Sequence, residues 1–471
     1  MISEEEFYKR RGDRTRRIAG TDDYTKVTTG ITTDNQLAST YAGQVMLITA
    51  ANLLSRWSRK IEIDIPNVEL VNQLRGNIYN SLIDRIQTEC KEANPFCDLS
   101  FKEVNSDTLT LFIGSEYEKS LSPTYCITAD GWDVVGWKPE DYKNIIRYSD
   151  TNFVPSAQLA SCLGVAQLFK ITVGQKEDKL LGSFRWSLWD YSLGSLNRGP
   201  NDTPLILQDQ KTIGNILQVG IGAVGSNVLY FLSMVSPSAH VEIIDYDKVE
   251  VENLDRTLLF GISDASPSQG DKVYRAKKIL EKIGLVGVTP FKGSWSEFAE
   301  DKLDGNGFDV WLALANENNV WQAMAENLPP LVIQATTNDD WGITLGRHIP
   351  FKDYCLRCRF KPDNGNIKTL CSQGDIEIPQ KDDESENNRV HASLPFLSAS
   401  AAALIVSELC KLSYMNYAGL SNYVAANLKF DLSHILTLTK KPKQSCPVCG
   451  FQSRSLWEKR NSNTKYSYLS N

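Results

Sequence analysis

The alternation of apolar and polar segments is clearest in the second half of the chain. Residues 215–219 (Asn-Ile-Leu-Gln-Val) form the short apolar run of a buried strand, and Gly220, Gly222 and Gly225 follow directly. The apolar stretch 226–233 then predicts a helix, and residues 240–245 predict a second strand. Strand, glycine turn, helix and strand in this order are typical of a mononucleotide-binding βαβ unit.

The first half of the chain repeats this order without the glycines. Residues 43–55 predict a helix and residues 60–64 a strand that ends on Asp64, which corresponds to Asp245 at an offset of 181. Chance similarity between generic βαβ units is the alternative interpretation.

A second pair of segments strengthens the interpretation as a duplication. Small-residue helices are predicted at 155–169 and 395–409, and each is followed by a predicted strand, at 184–190 and 426–431. Two matched pairs in the same order favour a duplicated α/β fold of two Rossmann-like halves. At 471 residues the chain also exceeds the usual size of a single core, which agrees with at least two domains.

Composition narrows the classes of function. Hydrophobic residues make up 42% and charged residues 23%, and the net charge is -7, so composition gives no support for nucleic acid as a ligand. The N-terminal residues lack an apolar signal segment, and no run reaches the roughly 18 apolar residues needed to span a bilayer. We therefore expect a cytoplasmic protein with no membrane partner, whose ten cysteines are held in a reducing compartment.

The glycine turn can be assigned residue by residue. Gly220 would permit the tight turn, Gly222 would let the backbone approach a phosphate, and Gly225 would let the helix pack closely on the strand. Asp245 lies 20 residues beyond Gly225, where an acid can bind ribose hydroxyls. These residues alone fit an NAD-dependent dehydrogenase as well as an ATP enzyme.

The next residues separate the two interpretations. Residues 245–256, Asp-Tyr-Asp-Lys-Val-Glu-Val-Glu-Asn-Leu-Asp-Arg, resemble the D-x-D-x-V-x-x-x-N-L-x-R signature of the ThiF/MoeB/ubiquitin-activating superfamily. Lys272 lies in Gln-Gly-Asp-Lys-Val-Tyr-Arg-Ala, which resembles that family's G-x-x-K-V-x-x-A stretch. The resemblance spans roughly residues 216–449.

The resemblance implies an ATP site with assigned roles. Asp245 would hold the ribose, and Asn253, Arg256 and Lys272 would contact the triphosphate, the last two as catalytic cations during attack at the α-phosphorus. Asp247 belongs to the same cofactor set. Simpler alternatives are a turn residue for Asp247, a solvated helix residue for Lys272, and half of a surface ion pair for Arg256.

The chain departs from the family at the Mg²⁺ site. The family's Asp-Asn pair after the strand near residue 310 is replaced here by Asn316 and Glu317. Either Glu317 takes over the carboxylate role, or Asn316 binds the ion through its weaker carbonyl oxygen. Our hypothesis is that Glu317 substitutes.

An N-terminal arginine cluster has a family counterpart. In these enzymes an arginine from the partner half reaches across to the ATP, and Arg11, Arg14 and Arg17 are candidates, with Arg14 chosen among them. A solvated basic tail is the alternative.

Two Cys-x-x-C knuckles predict a structural zinc site. Cys355 and Cys358 form one knuckle, Cys446 and Cys449 form the other, and four thiolates complete a tetrahedral Zn²⁺ site. A redox dithiol is the competing interpretation.

Cys371 stands apart from the other cysteines. Its surroundings resemble the family's T-x-C-x-x-x-G stretch, which implies a nucleophile that forms a thioester, whereas a cysteine kept for packing is the alternative. The charged residues that follow predict a mobile catalytic-cysteine loop over 371–391, in which His391 could assist deprotonation.

The resemblance predicts the organisation of the whole chain. We expect an inactive adenylation-like domain (1–195), a linker (196–212), an active adenylation domain (213–454) and a C-terminal tail (455–471). The activity implied is MgATP-dependent adenylation of a ubiquitin-like protein with a glycine-type C-terminus, then thioester formation and transfer to a conjugating-enzyme-like acceptor. The architecture looks most like compact bacterial activating enzymes of antiphage conjugation operons, and a homodimer is possible.

Three rival functions remain open from the sequence. The first is an adenylating enzyme that passes the acyl group to sulfur or to an amine without a cysteine thioester. The second is a nucleotide-binding scaffold. The third is an NAD oxidoreductase, which leaves Lys272 without an assigned role.

Overall fold

The computed structural model describes residues 2–76, 78–115, 122–141, 153–196, 204, 213–235, 239–265, 270–285, 287–303, 307–360, 394–414 and 416–470. Within these ranges the strands form two separate sheets of eight strands each. One sheet belongs to the first half of the chain and the other to the second half.

The described residues of the first half form one sheet and six α-helices. Its strands are β1 (Thr28–Thr33), β2 (Lys60–Asp64), β3 (Asp98–Phe101), β4 (Leu109–Ile113), β5 (Tyr125–Asp130), β6 (Asp133–Trp137), β7 (Phe184–Ser187) and β8 (Leu193–Gly194). Its helices are α1 (Glu4–Ala19), α2 (Asn35–Ala38), α3 (Tyr41–Ser55), α4 (Asn72–Arg75), α5 (Leu82–Ala93) and α6 (Val154–Thr172).

In the part of the second half that the structure describes, there are the other sheet and seven α-helices. Its strands are β9 (Asn215–Val219), β10 (His240–Asp245), β11 (Gly287–Lys292), β12 (Val310–Ala313), β13 (Val332–Thr337), β14 (Gly342–His348), β15 (Tyr423–Asn427) and β16 (Leu436–Leu438). Its helices are α7 (Ala223–Val235), α8 (Lys272–Ile283), α9 (Trp295–Asp301), α10 (Asn318–Glu326), α11 (Leu356–Arg359), α12 (Pro395–Lys411) and α13 (Arg454–Asn461).

The two sheets have the same topology. The first runs β3-β2-β1-β4-β5-β6-β7-β8 and the second runs β11-β10-β9-β12-β13-β14-β15-β16. In each, the first five strands in this order are parallel and the last three are antiparallel. The predicted duplicated α/β fold is confirmed.

One predicted strand is misplaced. The strand expected at 426–431 is β15, which begins three residues earlier and ends at Asn427. The side-chain oxygen of Asn427 accepts a hydrogen bond from the Lys429 amide at 2.9 Å, and the Leu428 amide donates to the carbonyl of Trp341 at 3.0 Å. These bonds turn the chain out of the sheet, and the apolar residues beyond Asn427 belong to the turn.

The halves join through their equivalent small-residue helices. Helix α12 packs on α6 across the junction and on α7 within its own half. Alanine, serine and glycine occupy 13 of the 34 buried positions of α6 and α12, and these small side chains let the two backbones approach closely. Both helices are buried almost throughout, which explains why their apolar residues lack the one-sided pattern of a surface helix.

Arg56 of the first half is a polar connection to the second half. Its guanidinium is buried and donates to the carbonyls of Leu254 (3.0 Å), Leu258 (3.1 Å) and Phe260 (2.8 Å). The chain segment that carries the predicted catalytic Arg256 is therefore held in place by the first half.

Among the described residues, no helix is both long enough and apolar enough to span a membrane.

Candidate nucleotide site and cysteine cluster

The glycine turn between β9 and α7 has the geometry that each glycine requires. Gly220 has φ of +100°, and an added Cβ there would lie 2.6 Å from the amide nitrogen of Ala315. A Cβ at Gly225 would collide with the carbonyl oxygen of Gly220, because the helix packs directly on the turn. A Cβ at Gly222 would meet open space, so its backbone faces the adjacent cavity. The turn therefore presents main-chain groups at the start of α7.

Asp245 at the end of β10 braces this turn. One carboxylate oxygen accepts a hydrogen bond from the Ile221 amide at 2.6 Å, and the other accepts one from the Asp247 amide at 2.8 Å. The carboxylate thereby joins the glycine turn to the loop after β10. It lines the smaller of two adjoining cavities.

The larger cavity collects most of the predicted site. Its volume is about 400 Å³, which is in the range of small-molecule sites. The predicted residues that line it come from both halves of the chain: Arg14, Gly222, Asp247, Asn253, Arg256, Lys272, Asn316 and Glu317.

Gly220 and Asp245 line a smaller adjoining cavity of about 120 Å³. Val219, Ile244 and Trp295 give part of its wall an apolar character. Gly225 lines neither cavity and acts only through helix packing.

The cationic side chains of the cavity are held by local partners. Lys272 is 7% exposed, and its Nζ lies 2.8 Å from Oδ2 of Asp247. Arg256 donates from Nη1 to Oδ1 of Asp255 at 2.6 Å and to the carbonyl of Glu252. Both cations are thus fixed near the glycine turn before any anion binds.

The backbone of Arg256 is held from behind by two helices. Its carbonyl accepts hydrogen bonds from the side chains of Asn227 on α7 (3.2 Å) and Ser398 on α12 (2.9 Å). Asn227 also accepts a hydrogen bond from the Leu258 amide at 2.6 Å. The segment around Arg256 is therefore rigid on the side away from the cavity.

The structure distinguishes among the N-terminal arginines. Arg14 on α1 lines the cavity, and burial, followed by the charge of Arg256, lowers the pKa of Arg14. Arg11 is buried instead and donates to the carbonyl of Ser55 at 2.9 Å, so its role is in the core of the first half. Arg17 forms an exposed ion pair with Asp13 at 3.0 Å.

In the first half, the position that corresponds to the phosphate turn is occupied by an acidic side chain. Asp34 follows β1, accepts a hydrogen bond from the Leu37 amide at 2.6 Å and another from the Ser115 amide at 3.1 Å. A Cβ at Gly114 would collide with the same carboxylate. A negative charge that already uses these amides opposes phosphate binding there.

The four knuckle cysteines form one cluster. The sulfur atoms of Cys355, Cys358, Cys446 and Cys449 all lie within 4.8 Å of one another. The Cys355–Cys446 sulfurs are 3.7 Å apart and the Cys358–Cys449 sulfurs 3.5 Å. Four Zn–S bonds of about 2.3 Å in a tetrahedron place sulfurs about 3.8 Å apart, so the cluster fits Zn²⁺.

Two family models match the chain. The model of the ThiF family matches residues 205–448, more than half of the chain, and the model described as the BilD N-terminal domain matches residues 29–187. The chain belongs to the ThiF family. The region matched by the ThiF model contains the glycine turn, most of the residues that line the larger cavity, and three of the four knuckle cysteines. Cys449 lies one residue beyond it.

Curated proteins are similar to the chain over parts of their length. The uncharacterised protein y4jF of Sinorhizobium fredii is 28% identical over 70% of this chain and 59% of its own. The NEDD8-activating enzyme E1 catalytic subunits of Arabidopsis thaliana and Schizosaccharomyces pombe are 32% and 30% identical, over 18% and 32% of this chain and 18% and 36% of their own. The chain thus spans less than two thirds of each relative.

Solved structures of Escherichia coli MccB are similar at a lower level. MccB with succinimide is 18% identical, with a TM-score of 0.37, over 50% of this chain and 67% of MccB. MccB with AMPCPP and MccA is also 18% identical, with a TM-score of 0.38, over the same shares of both chains.

At the predicted Mg²⁺ position of this ThiF-family protein, Glu317 already has two donors. Its Oε2 accepts a hydrogen bond from the Asn316 amide at 3.1 Å, and its Oε1 accepts one from the hydroxyl of Tyr246 at 3.2 Å. Glu317 and Asp247 both line the larger cavity. Carboxylate oxygens are ligands that a hard cation prefers.

Four further polar side chains that the sequence did not indicate line the larger cavity. Lys248 and Glu250 occupy variable positions inside the family signature, so their spacing gave a weak signal. Thr336 and Thr337 end β13, and nothing in their local sequence indicates that this strand end faces the cavity. Their position follows only from the sheet order.

Cys371 and His391 lie outside the described residues, as does the predicted loop over 371–391. Their roles stay predictions.

Proposed function

We propose that this ThiF-family protein uses ATP to adenylate the C-terminal carboxylate of a ubiquitin-like protein. The observation that carries the proposal is the convergence of Arg14, Asn253, Arg256 and Lys272 on one cavity beside the glycine turn. Two relatives are, by name, NEDD8-activating enzymes, which supports a ubiquitin-like partner with a flexible glycine-type C-terminus.

The nucleotide would extend from the smaller cavity into the larger one. Its base would occupy the smaller cavity beside Trp295, its ribose would meet Asp245, and its phosphates would cross the backbone at Gly222. Arg256 and Lys272 would then face the phosphates from the second half, and Arg14 from the first half. This placement uses the free amides at the start of α7 as an anion site.

The adenylation step needs charge stabilisation more than proton transfer. A carboxylate oxygen of the partner bonds to the α-phosphorus while the bond to the bridging oxygen of pyrophosphate breaks. The negative charge on the α-phosphate oxygens would be stabilised by Arg256 and Lys272, which the structure fixes in advance. The products are an acyl-adenylate and pyrophosphate.

The residues present fit a Mg²⁺ ion that accompanies the nucleotide. Glu317 would hold it, with Asp247 or the Asn316 carbonyl as further oxygen ligands. When bound, Mg²⁺ neutralises charge on the phosphate oxygens of the leaving pyrophosphate. The Cys355, Cys358, Cys446 and Cys449 cluster would hold a structural Zn²⁺, because all four ligands are protein thiolates.

A second step would transfer the acyl group to Cys371. Its thiolate sulfur bonds to the acyl carbon as AMP leaves, and the thiol proton is taken up by solvent or by His391. The thioester is then the donor to a conjugating-enzyme-like acceptor. In this finer proposal the chain is a cytoplasmic bacterial activating enzyme of an antiphage conjugation operon. It would be active as a monomer or a homodimer.

Non-reducing gels test the thioester step. We expect a thiol-sensitive adduct between the wild-type chain and a ubiquitin-like protein in the presence of MgATP. Cys371→Ala should abolish the adduct, and Cys97→Ala, which changes a buried cysteine of the first half, should retain it. Full pyrophosphate exchange without any adduct in the wild type would instead support transfer to sulfur or to an amine.

A further inference from the structure

Asp255 lies behind the cavity, in the segment that carries Arg256. Its side chain is fully shielded from solvent. One oxygen, Oδ1, accepts the 2.6 Å hydrogen bond from Arg256, whereas Oδ2 is buried and accepts none from the residues that the structure describes. Burial of a carboxylate with an unpaired oxygen is costly, because that oxygen loses its water without a replacement. Neighbouring cations are the source of stabilisation that can offset this cost.

Three guanidinium groups provide that positive charge. Burial raises the pKa of Asp255, and the charges of Arg256, Arg14 and Arg11 oppose the increase. Burial and the charge of Arg256 lower the pKa of Arg14, and the charge of Asp255 opposes that decrease. Arg14 and Arg256 line the same cavity from different halves of the chain, and helix α1, which carries Arg14, packs on the turn Val251–Asn253 just before Asp255. The buried carboxylate of Asp255 therefore lies where its charge can act on both arginines.

We propose that Asp255 is a positioning residue that holds Arg14 and Arg256 side by side, facing the phosphates of the bound nucleotide. The proposal rests on the adenylation function proposed above. Without the carboxylate, two neighbouring cations would repel each other across the junction of the halves. Asp255 does not line the cavity, so it acts through the two arginines and not on the nucleotide itself.

The Asp255→Asn substitution removes the negative charge of the side chain and keeps its shape. The amide keeps the size of the side chain and an oxygen acceptor toward Arg256, but the negative charge is lost. The cavity becomes more positive, so binding of the polyanionic nucleotide is not weakened. The two guanidinium groups lose their fixed arrangement, so the charge that develops at the α-phosphate is stabilised less. The expected result is a lower kcat at an unchanged or lower KM for ATP.

A double-mutant cycle in ATP–pyrophosphate exchange tests this role. Asp255→Asn should lower kcat about tenfold in the wild-type background and less than about twofold in an Arg14→Ala background, because both changes remove the same arrangement. Equal effects in the two backgrounds would overturn the proposal, and so would a rise in KM that accompanies the fall in kcat. The latter pattern is expected from general damage to the segment.

Asp264→Asn is the matched control. Asp264 is a buried acid further along the same segment that pairs with Arg275 beside a different cavity, so its loss should show no coupling to Arg14. If the wild type binds ATP but gives no exchange with any partner, the proposed adenylation fails by itself. The cycle is then measured in dissociation constants for ATP. Weaker binding by Asp255→Asn, or effects of Arg14→Ala that are equal with and without Asp255, would overturn the positioning role.

Discussion

Arg10 and Glu252 form a two-point ion pair between the halves of the chain. Nε of Arg10 lies 2.7 Å from Oε1 of Glu252, and Nη2 lies 3.1 Å from Oε2. Arg14 is one helical turn further along α1 and therefore lies on the same face of that helix. The ion pair thus fixes the helix in the position that brings Arg14 to the cavity wall.

Arg14→Ala should lower the kcat of ATP–pyrophosphate exchange on the order of 100-fold, because it removes a positive charge directed at the phosphates. Arg17→Ala is the control on the same helix, since Arg17 forms an exposed ion pair with Asp13. Its effect should stay within about twofold. Equal losses in the two variants would show that α1 matters only for folding.

The first half also supports the site through Arg56. Arg56→Ala should lower the free energy of unfolding by about 3 kcal/mol, because three buried carbonyls of the second half lose their donor. Chemical denaturation measures this change. Arg59→Ala is the control, because Arg59 is exposed and packs over the ring of Tyr8, and its loss should cost under about 1 kcal/mol. A similar cost in both variants would contradict the role given to Arg56.

Glu317→Gln should raise the Mg²⁺ concentration required for half-maximal exchange at least about tenfold, because an amide oxygen is a weaker ligand for a hard cation than a carboxylate. Tyr246→Phe is the control, since it removes the hydrogen bond to Glu317 and leaves the carboxylate in place. The Mg²⁺ requirement of that variant should be unchanged or lower. An unaltered Mg²⁺ dependence in Glu317→Gln would eliminate Glu317 as the ligand.

Cys446→Ser should reduce the zinc content from one ion per chain to below stoichiometric levels and lower the Tm by about 10 °C, because the cluster joins the α11 knuckle to the C-terminal knuckle. Cys97→Ala is the control, a buried cysteine of the first half that belongs to no cluster. It should keep its zinc even if its Tm falls. Zinc bound equally by both variants would exclude the four-cysteine site.

The fold and much of the site could be predicted from local sequence. The duplicated strand and helix order and the two cysteine knuckles are patterns of neighbouring residues, and family membership follows from the ThiF model match. Asp245 ends strand β10 and binds the Ile221 amide, and Gly220 has a positive φ that favours glycine. Both positions follow from the local pattern of strand end and glycine turn.

The remaining features depend on contacts between distant segments. The sequence offers three candidate arginines near the N-terminus. The packing of α1 places Arg14 at the cavity wall and buries Arg11. Thr336 and Thr337 face the cavity only because β13 is the second strand from β9 in the sheet. The role of the Asp255 charge cannot be predicted from sequence, because its effect on Arg14 and Arg256 depends on how the two halves pack.

ATP–pyrophosphate exchange tests the central claim most directly. The purified chain is incubated with MgATP, labelled pyrophosphate and a candidate ubiquitin-like protein that ends in glycine. The control is the same ubiquitin-like protein without its last residues. We predict exchange that requires the intact C-terminus and is lost in Lys272→Ala. Absence of exchange with every ubiquitin-like protein tested, while ATP still binds, would contradict adenylation and favour a nucleotide-binding scaffold.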